Sequence, residues 1–333
     1  MFKKIFNNKK SIIILIILLI IIFLGGIAAK KYFDKYIANK VVNIVFTTDK
    51  NYTEYLKVAI LSAIDNKNPE SIYNINILCI DLPNKKYEEF IELAKNIENV
   101  KIKTIPLKIE TLKGIGEFET KNKVSRVDLF KFFIPDIFPE LDKILYMDAD
   151  ILVLKDLTKL YNTDISKNYI GAVKRYEYRT ELFRTKNGSF NYGKYYTYNC
   201  GILLYNLKKW RETNIKDKLI EAKNNDMIRE LVTQKSFNDI IPLSNIKQIS
   251  PIYNAMGRME PKDFKAYKFR KIYRPYCNNM WTFNDFIKNV AVVHYAGQKK
   301  PWYTTELLFS EEWWKYAKKI NPKWELEQDT SIK

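Results

Sequence analysis

Histidine, cysteine and glycine are scarce in this sequence, and each scarcity excludes a kind of chemistry. His294 is the only histidine among 333 residues, so any reaction or metal site that needs imidazole must use it. Cys79, Cys200 and Cys277 are odd in number and widely spaced, which indicates neither a disulfide framework nor a cysteine-ligated zinc site. The 10 glycines form no glycine-rich phosphate loop, which argues against a P-loop phosphoryl-transfer enzyme.

Acidic residues are too few to balance the basic ones. The 56 Lys and Arg residues exceed the 38 Asp and Glu residues, and the formal net charge is +18. Such a charge fits nucleic acid, an anionic membrane surface or phosphorylated substrates. Because the sequence has no arginine-rich arm and no zinc-finger spacing, we expect no nucleic-acid partner. A membrane surface is the better interpretation.

Charged and strongly polar side chains are absent from residues 12–29, a run of 18 residues. A helix of this length rises about 27 Å, close to the thickness of the bilayer hydrocarbon. We predict an uncleaved transmembrane anchor over residues 11–29, between a basic tail at 1–10 and a stalk at 30–40. A buried core helix and a cleaved signal peptide are the alternatives. Lysines flank both ends, so the positive-inside rule does not decide the orientation.

Beyond the stalk, short β-branched runs alternate with helical patterns. This alternation is typical of an α/β fold with a parallel sheet, which binds ligands beyond the carboxyl ends of its strands. No linker or repeat interrupts it, so we predict one domain over residues 41–305 and an aromatic, basic tail over 306–333. The predicted strands are residues 41–47, 75–80, 100–105, 143–147, 169–173, 201–205 and 290–295, and the predicted helices are 52–64, 86–97 and 126–138.

Two aspartates, Asp148 and Asp150, directly follow the predicted strand at 143–147. In extended backbone, residues i and i+2 point the same way, so both carboxylates can converge on one cation. Hard divalent ions take carboxylate oxygens and often substrate phosphates as well. Many loops contain Asp-x-Asp by chance, but the position directly after a buried strand favours a metal site.

The only histidine lies at the end of another strand-like run. His294 is followed by a turn with Gly297, Lys299 and Lys300. In a functional interpretation, His294 is a third metal ligand, Gly297 permits close backbone approach, and a lysine meets a phosphate. In a structural interpretation, His294 ends a strand and the lysines form a solvated turn. Taken alone, the structural interpretation is the better one, and only the aspartate pair favours the other.

The link between the first strand and the first helix, residues 47–52, reads Thr-Thr-Asp-Lys-Asn-Tyr. Small polar residues at this point can hold a nucleotide, with helix amides facing it. The alternative is that Asp49 or Asn51 simply caps the helix. On its own, this link favours the capping role.

Together these motifs resemble those of the family 8 glycosyltransferases, the retaining group that includes glycogenin and bacterial lipopolysaccharide galactosyl- and glucosyltransferases. Residues 125–128 (Ser-Arg-Val-Asp) are similar to the family's arginine-bearing helix start, and residues 198–210 to its Phe-Asn-small-Gly strand and the following helix. Five motifs follow the family's order over residues 42–303. The resemblance implies a GT-A type, Rossmann-like nucleotide-diphospho-sugar transferase fold. It also implies retaining transfer of a hexose, glucose or galactose, from a UDP-sugar.

The resemblance further implies a role for each matching residue. Mn²⁺ or Mg²⁺ would bridge the donor diphosphate, Tyr52 would stack on the uracil, and Asp150, Lys300 and Gln234 would carry the catalytic step. The implied sites are Asp148, Asp150 and His294 for the metal; Thr48, Asp49, Asn51 and Tyr52 for uridine; Arg126, Ala149 and Asn199 for the donor sugar and its surroundings; Gly297 and Lys300 for the diphosphate; and Gln234 beside the reacting carbon.

One stretch departs from the family pattern. The family commonly has Asp-Gln-Asp ahead of an Asn, whereas this sequence has Thr233, Gln234 and Lys235 ahead of Asn238. The first missing carboxylate usually hydrogen-bonds sugar hydroxyls, so the identity of the sugar is open. The alternative function is therefore a weak or inactive membrane-bound UDP-sugar-binding protein on the same scaffold.

The acceptor is predicted from the surroundings of the domain. The anchor, the positive charge and the tryptophans of the tail suggest a carbohydrate acceptor at the membrane, such as a glycolipid or lipopolysaccharide. The other interpretation of the tail is a helix packed on the domain. We expect a single-pass membrane protein whose catalytic domain is cytoplasmic in a bacterium or lumenal in a secretory pathway.

Overall fold

The computed structural model describes most of the chain beyond the predicted anchor. The chain divides into two units, Met1–Val41 and Val42–Lys333. In the first, residues 23–27 are helical and exposed, and the Lys40 ammonium lies 4.0 Å from the centre of the Tyr36 ring. The described residues are 20, 23–27, 30, 36–80, 82–108, 126–177, 183–184, 190–191, 195–224, 237, 240–262 and 282–328.

The predicted anchor, residues 12–29, lies largely outside the described residues. Within the described part of the chain, no helix has the length and apolar character needed to cross a bilayer. The anchor therefore stays a prediction from the sequence.

The second unit alternates strands and helices, as predicted. Its elements are β1 (Val41–Thr48), α1 (Thr53–Asp65), β2 (Ile72–Ile80), α2 (Asn84–Glu92), β3 (Val100–Leu107), a 3₁₀ helix (Arg126–Phe132), α3 (Ile134–Ile137), β4 (Lys143–Met147), β5 (Ile151–Val153), α4 (Thr158–Tyr161), β6 (Ile170–Glu177), β7 (Phe183–Arg184), β8 (Phe190–Asn191), β9 (Tyr195–Asn206), α5 (Leu207–Thr213), α6 (Ile215–Asn224), further 3₁₀ helices (Leu243–Asn245 and Pro251–Tyr253), β10 (Ile246–Gln248), β11 (Ala255–Met256), α7 (Phe283–Asn289), β12 (Val292–His294) and α8 (Ser310–Ile320).

A seven-stranded sheet in the order β10-β6-β9-β4-β1-β2-β3 forms the centre of this unit. The pairs β1–β4, β2–β3 and β6–β10 are parallel, as the alternating pattern predicts. The sheet is mixed, so the predicted parallel sheet holds only in part: β9 pairs antiparallel with both β4 and β6. β9 therefore runs opposite to both of its neighbours in the sheet.

The predicted helix over residues 126–138 is helical in the structure, but it forms two short pieces and not one continuous helix. A 3₁₀ helix over Arg126–Phe132 is followed by the short α3, which begins beside Pro135. Proline has no backbone N–H and its ring collides with the preceding turn, so a continuous α-helix cannot pass through this position. Val127 and Asp128 of the 3₁₀ helix lie beside the carboxyl ends of β1 and β4.

A small second sheet, in the order β11-β12-β5, lies at the same end of the molecule. β12 pairs antiparallel with β5 and places His294 opposite Ile151. β11 pairs parallel with β12 on its other side and places Met256 opposite His294. The small sheet thus joins three distant parts of the chain around the only histidine.

The aromatic tail packs on the domain. Trp313 and Ala317 on α8 have no exposed surface, and Trp302 is 1% exposed. These residues share one buried cluster with Val58 of α1 and Leu152 of β5. The contacts agree with the packed-helix interpretation of the tail, and its buried Trp313 is not available to a membrane.

Replacing Trp313 with alanine is expected to lower the free energy of unfolding by about 3–5 kcal/mol, because the cavity left by a buried indole cannot close fully. Urea unfolding followed by circular dichroism measures this loss. Lys315→Ala, on the exposed side of the same helix, should change the free energy by no more than about 0.5 kcal/mol. Equal unfolding midpoints for Trp313→Ala and the unmodified protein would contradict the packing of α8.

Candidate active site

A cavity of about 380 Å³ lies at the carboxyl ends of β1 and β4. This is the edge at which an open α/β sheet binds its ligands. The cavity contains most of the predicted site residues, and Thr47 in it belongs to the predicted nucleotide link at residues 47–52. It also contains Val127, Asp128 and Tyr146, for which no site role was predicted. Its lining comprises Thr47, Thr48, Asp49, Tyr52, Val127, Asp128, Tyr146, Asp148, Ala149, Asp150, Gly297 and Lys300.

The three predicted metal ligands converge beside this cavity. Asp148, Asp150 and His294 each offer a ligand atom within 4.8 Å of the others. The Nε2 atom of His294 lies 3.2 Å from Asp150 Oδ1 and 3.5 Å from Asp148 Oδ2. The backbone N–H of Tyr295 donates to the Asp150 carbonyl at 2.9 Å, which holds β12 against the start of β5. Strand pairing therefore determines the position of the imidazole relative to the carboxylates.

A chain of hydrogen bonds determines which nitrogen of His294 faces the carboxylates. The Gly201 N–H donates to Asn199 Oδ1 at 3.0 Å, so this atom of Asn199 is the amide oxygen. Asn254 Nδ2 also donates to Asn199 Oδ1 at 3.0 Å, which turns Asn254 Oδ1 towards His294 Nδ1 at 3.1 Å. Nδ1 must then carry the proton, and in the neutral ring Nε2 presents its lone pair to both carboxylates.

This arrangement fits a divalent cation. A lone pair facing two carboxylate oxygens is repulsive, and a cation bound by all three groups removes the repulsion. Two oxygens and one imidazole nitrogen form a donor set that Mn²⁺ accepts. The residues Asp148, Asp150 and His294 can therefore hold such an ion.

Gly201 leaves room for these ligands. A Cβ atom at this position would collide with the imidazole of His294 and lie 2.7 Å from Asp148 Oδ2. The Asp148 N–H donates to the Gly201 carbonyl at 2.7 Å, so the backbone of β9 lies directly against the ligands. The predicted Asn-Cys-Gly stretch thus contributes orientation through Asn199 and space through Gly201.

Lys300 connects the metal ligands with the cavity. Its Nζ donates to Asp150 Oδ2 at 2.5 Å and to the Tyr295 carbonyl at 2.8 Å. Burial alone would lower the pKa of Lys300, but the Asp150 carboxylate outweighs it and raises that pKa. Burial alone would raise the pKa of Asp150, but the Lys300 ammonium holds it well below its usual range. Both groups are therefore charged at neutral pH.

Lys131 is a second buried cation, which sequence reasoning missed. Its side chain is 3% exposed, its ammonium contacts the Asp128 carboxylate, and it lies 3.1 Å from Asp148 Oδ1. Burial favours the neutral amine, yet Asp128 and Asp148 raise the pKa of Lys131 well above its usual value. The signal in the sequence was a lysine enclosed by the apolar run Leu-Phe-Lys-Phe-Phe, residues 129–133.

Tyr146 supports Asp148 from the other direction. The Tyr146 hydroxyl donates to Asp148 Oδ1 at 2.6 Å. Since its only proton is used there, the tyrosine oxygen accepts from the Thr47 hydroxyl at 3.0 Å. Asp148 is thus oriented by a phenol and by the Lys131 ammonium, while its second oxygen faces His294.

Some predicted site residues do not line the cavity, and others lie outside the described part of the chain. The side chain of Asn199 is buried behind the metal ligands, where it contacts Gly201 and Asn254. The Asn51 N–H donates to Asp49 Oδ1 at 2.9 Å. Helix α1 has Tyr52 as its N-cap without a side-chain cap bond, so the capping role of Asp49 or Asn51 is wrong. Outside the described part are the side chain of Arg126 and residues Thr233, Gln234 and Lys235.

The family model for glycosyl transferase family 8 matches residues 43–306, well over half of the chain. The chain belongs to this family. The match spans β1 to the turn after β12 and so contains the cavity and the three convergent ligands. The likeness of the motifs to family 8 is confirmed.

Two curated relatives share about a quarter of their aligned residues with this chain. The glycosyltransferase GlyD of Streptococcus pneumoniae is 25% identical over 281 residues, which cover 82% of this chain and 30% of GlyD. General stress protein A of Bacillus subtilis is 24% identical over 293 residues, which cover 84% of this chain and 93% of the relative. The chain thus spans less than a third of GlyD but nearly all of the Bacillus protein.

Solved structures of two glycosyltransferases share the fold. The galactosyltransferase LgtC in complex with donor and acceptor sugar analogs is 25% identical, with a TM-score of 0.66, over 84% of this chain and 96% of LgtC. The bifunctional glycosyltransferase WbbM is 20% identical, with a TM-score of 0.66, over 84% of this chain and 50% of WbbM. The predicted α/β fold of GT-A type is therefore confirmed.

Replacing Asn254 with alanine is expected to weaken binding of Mn²⁺ by about 10- to 100-fold, the usual effect of removing a partner that orients a metal-bound histidine. Without Asn254 Oδ1, the Nδ1 proton of His294 loses its acceptor. The dissociation constant is measured by titration with Mn²⁺ followed by electron paramagnetic resonance.

The matched control is Asn66→Ala. The Asn66 amide donates to the Ser62 and Val153 carbonyls and to the Tyr316 hydroxyl, away from the metal ligands. This variant should lose stability and keep its affinity for Mn²⁺. Unchanged affinity in Asn254→Ala would show that the hydrogen-bond chain does not prepare His294 as a ligand.

Proposed function

We propose that this protein transfers a hexose, glucose or galactose, from a UDP-sugar to a hydroxyl acceptor with retention of configuration and with a divalent metal. The observation that carries the proposal is the convergence of Asp148, Asp150 and His294 beside Lys300, at the wall of the cavity. A diphosphate donor needs both a divalent cation and a positive side chain at its leaving group. Membership in family 8 supports the reaction class.

The metal would be Mn²⁺ or Mg²⁺, held by the three convergent ligands. When bound, it would act as a Lewis acid on the donor diphosphate. The protein's own contribution is orientation: Asn254 fixes the tautomer of His294, and Tyr146 and Lys131 fix Asp148. Because these partners are hydrogen-bonded before any ligand arrives, little reorganisation accompanies binding.

Lys300 is proposed to stabilise the negative charge that develops on the leaving diphosphate. Its ammonium is buried and charged, and it lies at the cavity wall, where a fixed positive group acts more strongly than in water. Gly297 has a φ of +93°, which favours glycine and gives the backbone close access to a phosphate. Uridine is proposed to contact Thr48, Asp49 and Tyr52, which line the cavity at the end of β1.

Hexose transfer is proposed on the similarity to the galactosyltransferase LgtC, at 25% identity over nearly the whole of that chain. The replacement of both carboxylates around Gln234, by Thr233 and Lys235, favours a second candidate. That candidate is a weak or inactive protein that binds a UDP-sugar on the same scaffold.

The acceptor is proposed to be a glycolipid or lipopolysaccharide. The anchor predicted for residues 12–29 and the net charge of +18 support an acceptor at a membrane surface. The catalytic domain would be cytoplasmic in a bacterium, where nucleotide sugars are made, and lumenal in a secretory pathway.

The test is release of UDP by the full chain from UDP-glucose, UDP-galactose and their N-acetyl forms, with and without Mn²⁺. We expect Mn²⁺-dependent release from one donor. Asp150→Asn should reduce the rate by about 10²- to 10³-fold, the usual effect of losing one electrostatic partner of the transition state. Asp142→Asn, an exposed aspartate on the surface, should keep the rate of the unmodified protein.

The other outcomes separate the two candidates. Binding of UDP by calorimetry without release from any donor would support the inactive binding protein. Neither binding nor release by the folded protein would overturn both.

A further inference from the structure

The segment after helix α8, residues 321–328, is hydrogen-bonded to the rest of the domain through Glu327. Its backbone N–H donates to the Trp302 carbonyl at 2.8 Å. Its carboxylate accepts from the Tyr55 hydroxyl at 2.5 Å and from Trp324 Nε1 at 3.1 Å. One residue near the end of the described chain thus joins helix α1, the turn after β12 and its own segment.

The groups held by Glu327 form a compact aromatic stack. The rings of Tyr55 and Trp302 are stacked, with centroids 3.7 Å apart and planes inclined by 10°. The ring centroids of Trp324 and Tyr55 are 5.7 Å apart. Burial and the Glu327 carboxylate raise the pKa of Tyr55 well above its usual value, so its hydroxyl keeps the proton that it donates.

This stack lies behind Tyr52, on the side of that ring away from the cavity's other lining residues, and reaches the cavity only through it. Tyr52 lines the cavity, and its ring packs edge-on against Tyr55 at 5.5 Å and Trp302 at 6.1 Å. The backbone carbonyl of Lys300, two residues before Trp302, accepts hydrogen bonds from the N–H groups of Tyr303 and Thr304, at 3.0 and 3.1 Å. A shift of Trp302 would therefore move both Tyr52 and the turn that carries Lys300.

We propose that Glu327 is a positioning residue for UDP. Glu327 holds Tyr55 and Trp302 together. It thereby positions the ring of Tyr52 to stack on the uracil and the ammonium of Lys300 to contact the diphosphate. The proposal rests on the proposed function, because UDP is taken as the ligand of the cavity. It assigns the aromatic tail a role in donor binding.

Glu327→Gln tests this with almost no change in shape. A carboxylate accepts from Tyr55 and Trp324 together, whereas an amide must turn its NH₂ group towards one of these two donors. The NH₂ group of the glutamine then faces the hydrogen of another donor, which loosens the stack. The backbone hydrogen bond from residue 327 to the Trp302 carbonyl is kept. Tyr55→Phe in the same chain removes one donor and with it the mismatch, so the double variant should recover affinity.

The measurement is the dissociation constant of UDP, by calorimetry on the full chain with Mn²⁺, together with thermal unfolding. We expect Glu327→Gln to weaken UDP binding about tenfold, the equivalent of about one hydrogen bond. Glu325→Gln makes the same chemical change at an exposed position of the same segment and should bind UDP as the unmodified protein does. Partial recovery in Tyr55→Phe/Glu327→Gln would support the positioning role.

The results that would overturn the inference can be distinguished from those that would overturn the proposed function. If the unmodified protein binds UDP and Glu327→Gln binds it equally well, with or without a lower melting temperature, the segment is only structural and the proposed function stands. If the unmodified protein binds no UDP, the proposed function fails and the inference fails with it. If Glu327→Gln does not fold, the double variant is measured in its place: a UDP affinity equal to that of Glu325→Gln would decide the matter against positioning, and a weaker affinity would support it.

Discussion

The pairing of β12 with β5 and β11 is the constraint on which the rest of the site depends. It brings the only histidine to Asp150, through the bond from the Tyr295 N–H to the Asp150 carbonyl. On the other side, the Gly257 N–H donates to the His294 carbonyl at 2.9 Å. A Cβ atom at Gly257 would collide with the ring of Tyr295, so this close approach requires glycine. Because Asn254 directly precedes β11, the same pairing also supplies the amide that orients His294.

The charges of the site follow from this arrangement. Two buried ammonium groups, those of Lys131 and Lys300, are each matched by a carboxylate that is also a candidate metal ligand. A buried ion pair is stable only when hydrogen bonds satisfy the rest of both groups, and Tyr146 and the Tyr295 carbonyl provide these bonds. The carboxylates thus stay ionised and fixed in direction, which is the state that a divalent cation requires.

The sequence alone predicted the features of the fold and the site that depend on short local patterns of residues. The apolar runs of β1 and β4 located the binding edge of the sheet, and the spacing of Asp148 and Asp150 after β4 located the ligands. The direction of β9 was not predictable, because hydrophobic periodicity reports burial and not strand direction. Asn254 was missed since a lone asparagine far along the chain has no local signal. Lys131 was missed because it lies beyond the motif at residues 125–128, and a single lysine within an apolar run does not show which carboxylates it will meet.

The two hydrogen bonds of Lys300 change what a lysine can do. An ammonium on a four-carbon chain is normally a mobile point charge, and ordering it on a ligand costs rotational entropy. Here Asp150 Oδ2 and the Tyr295 carbonyl take two of its three N–H groups. The tetrahedral geometry of the nitrogen then leaves the third N–H with a defined direction. The side chain loses its freedom when the protein folds, so a phosphate that meets this N–H binds a donor that is already ordered.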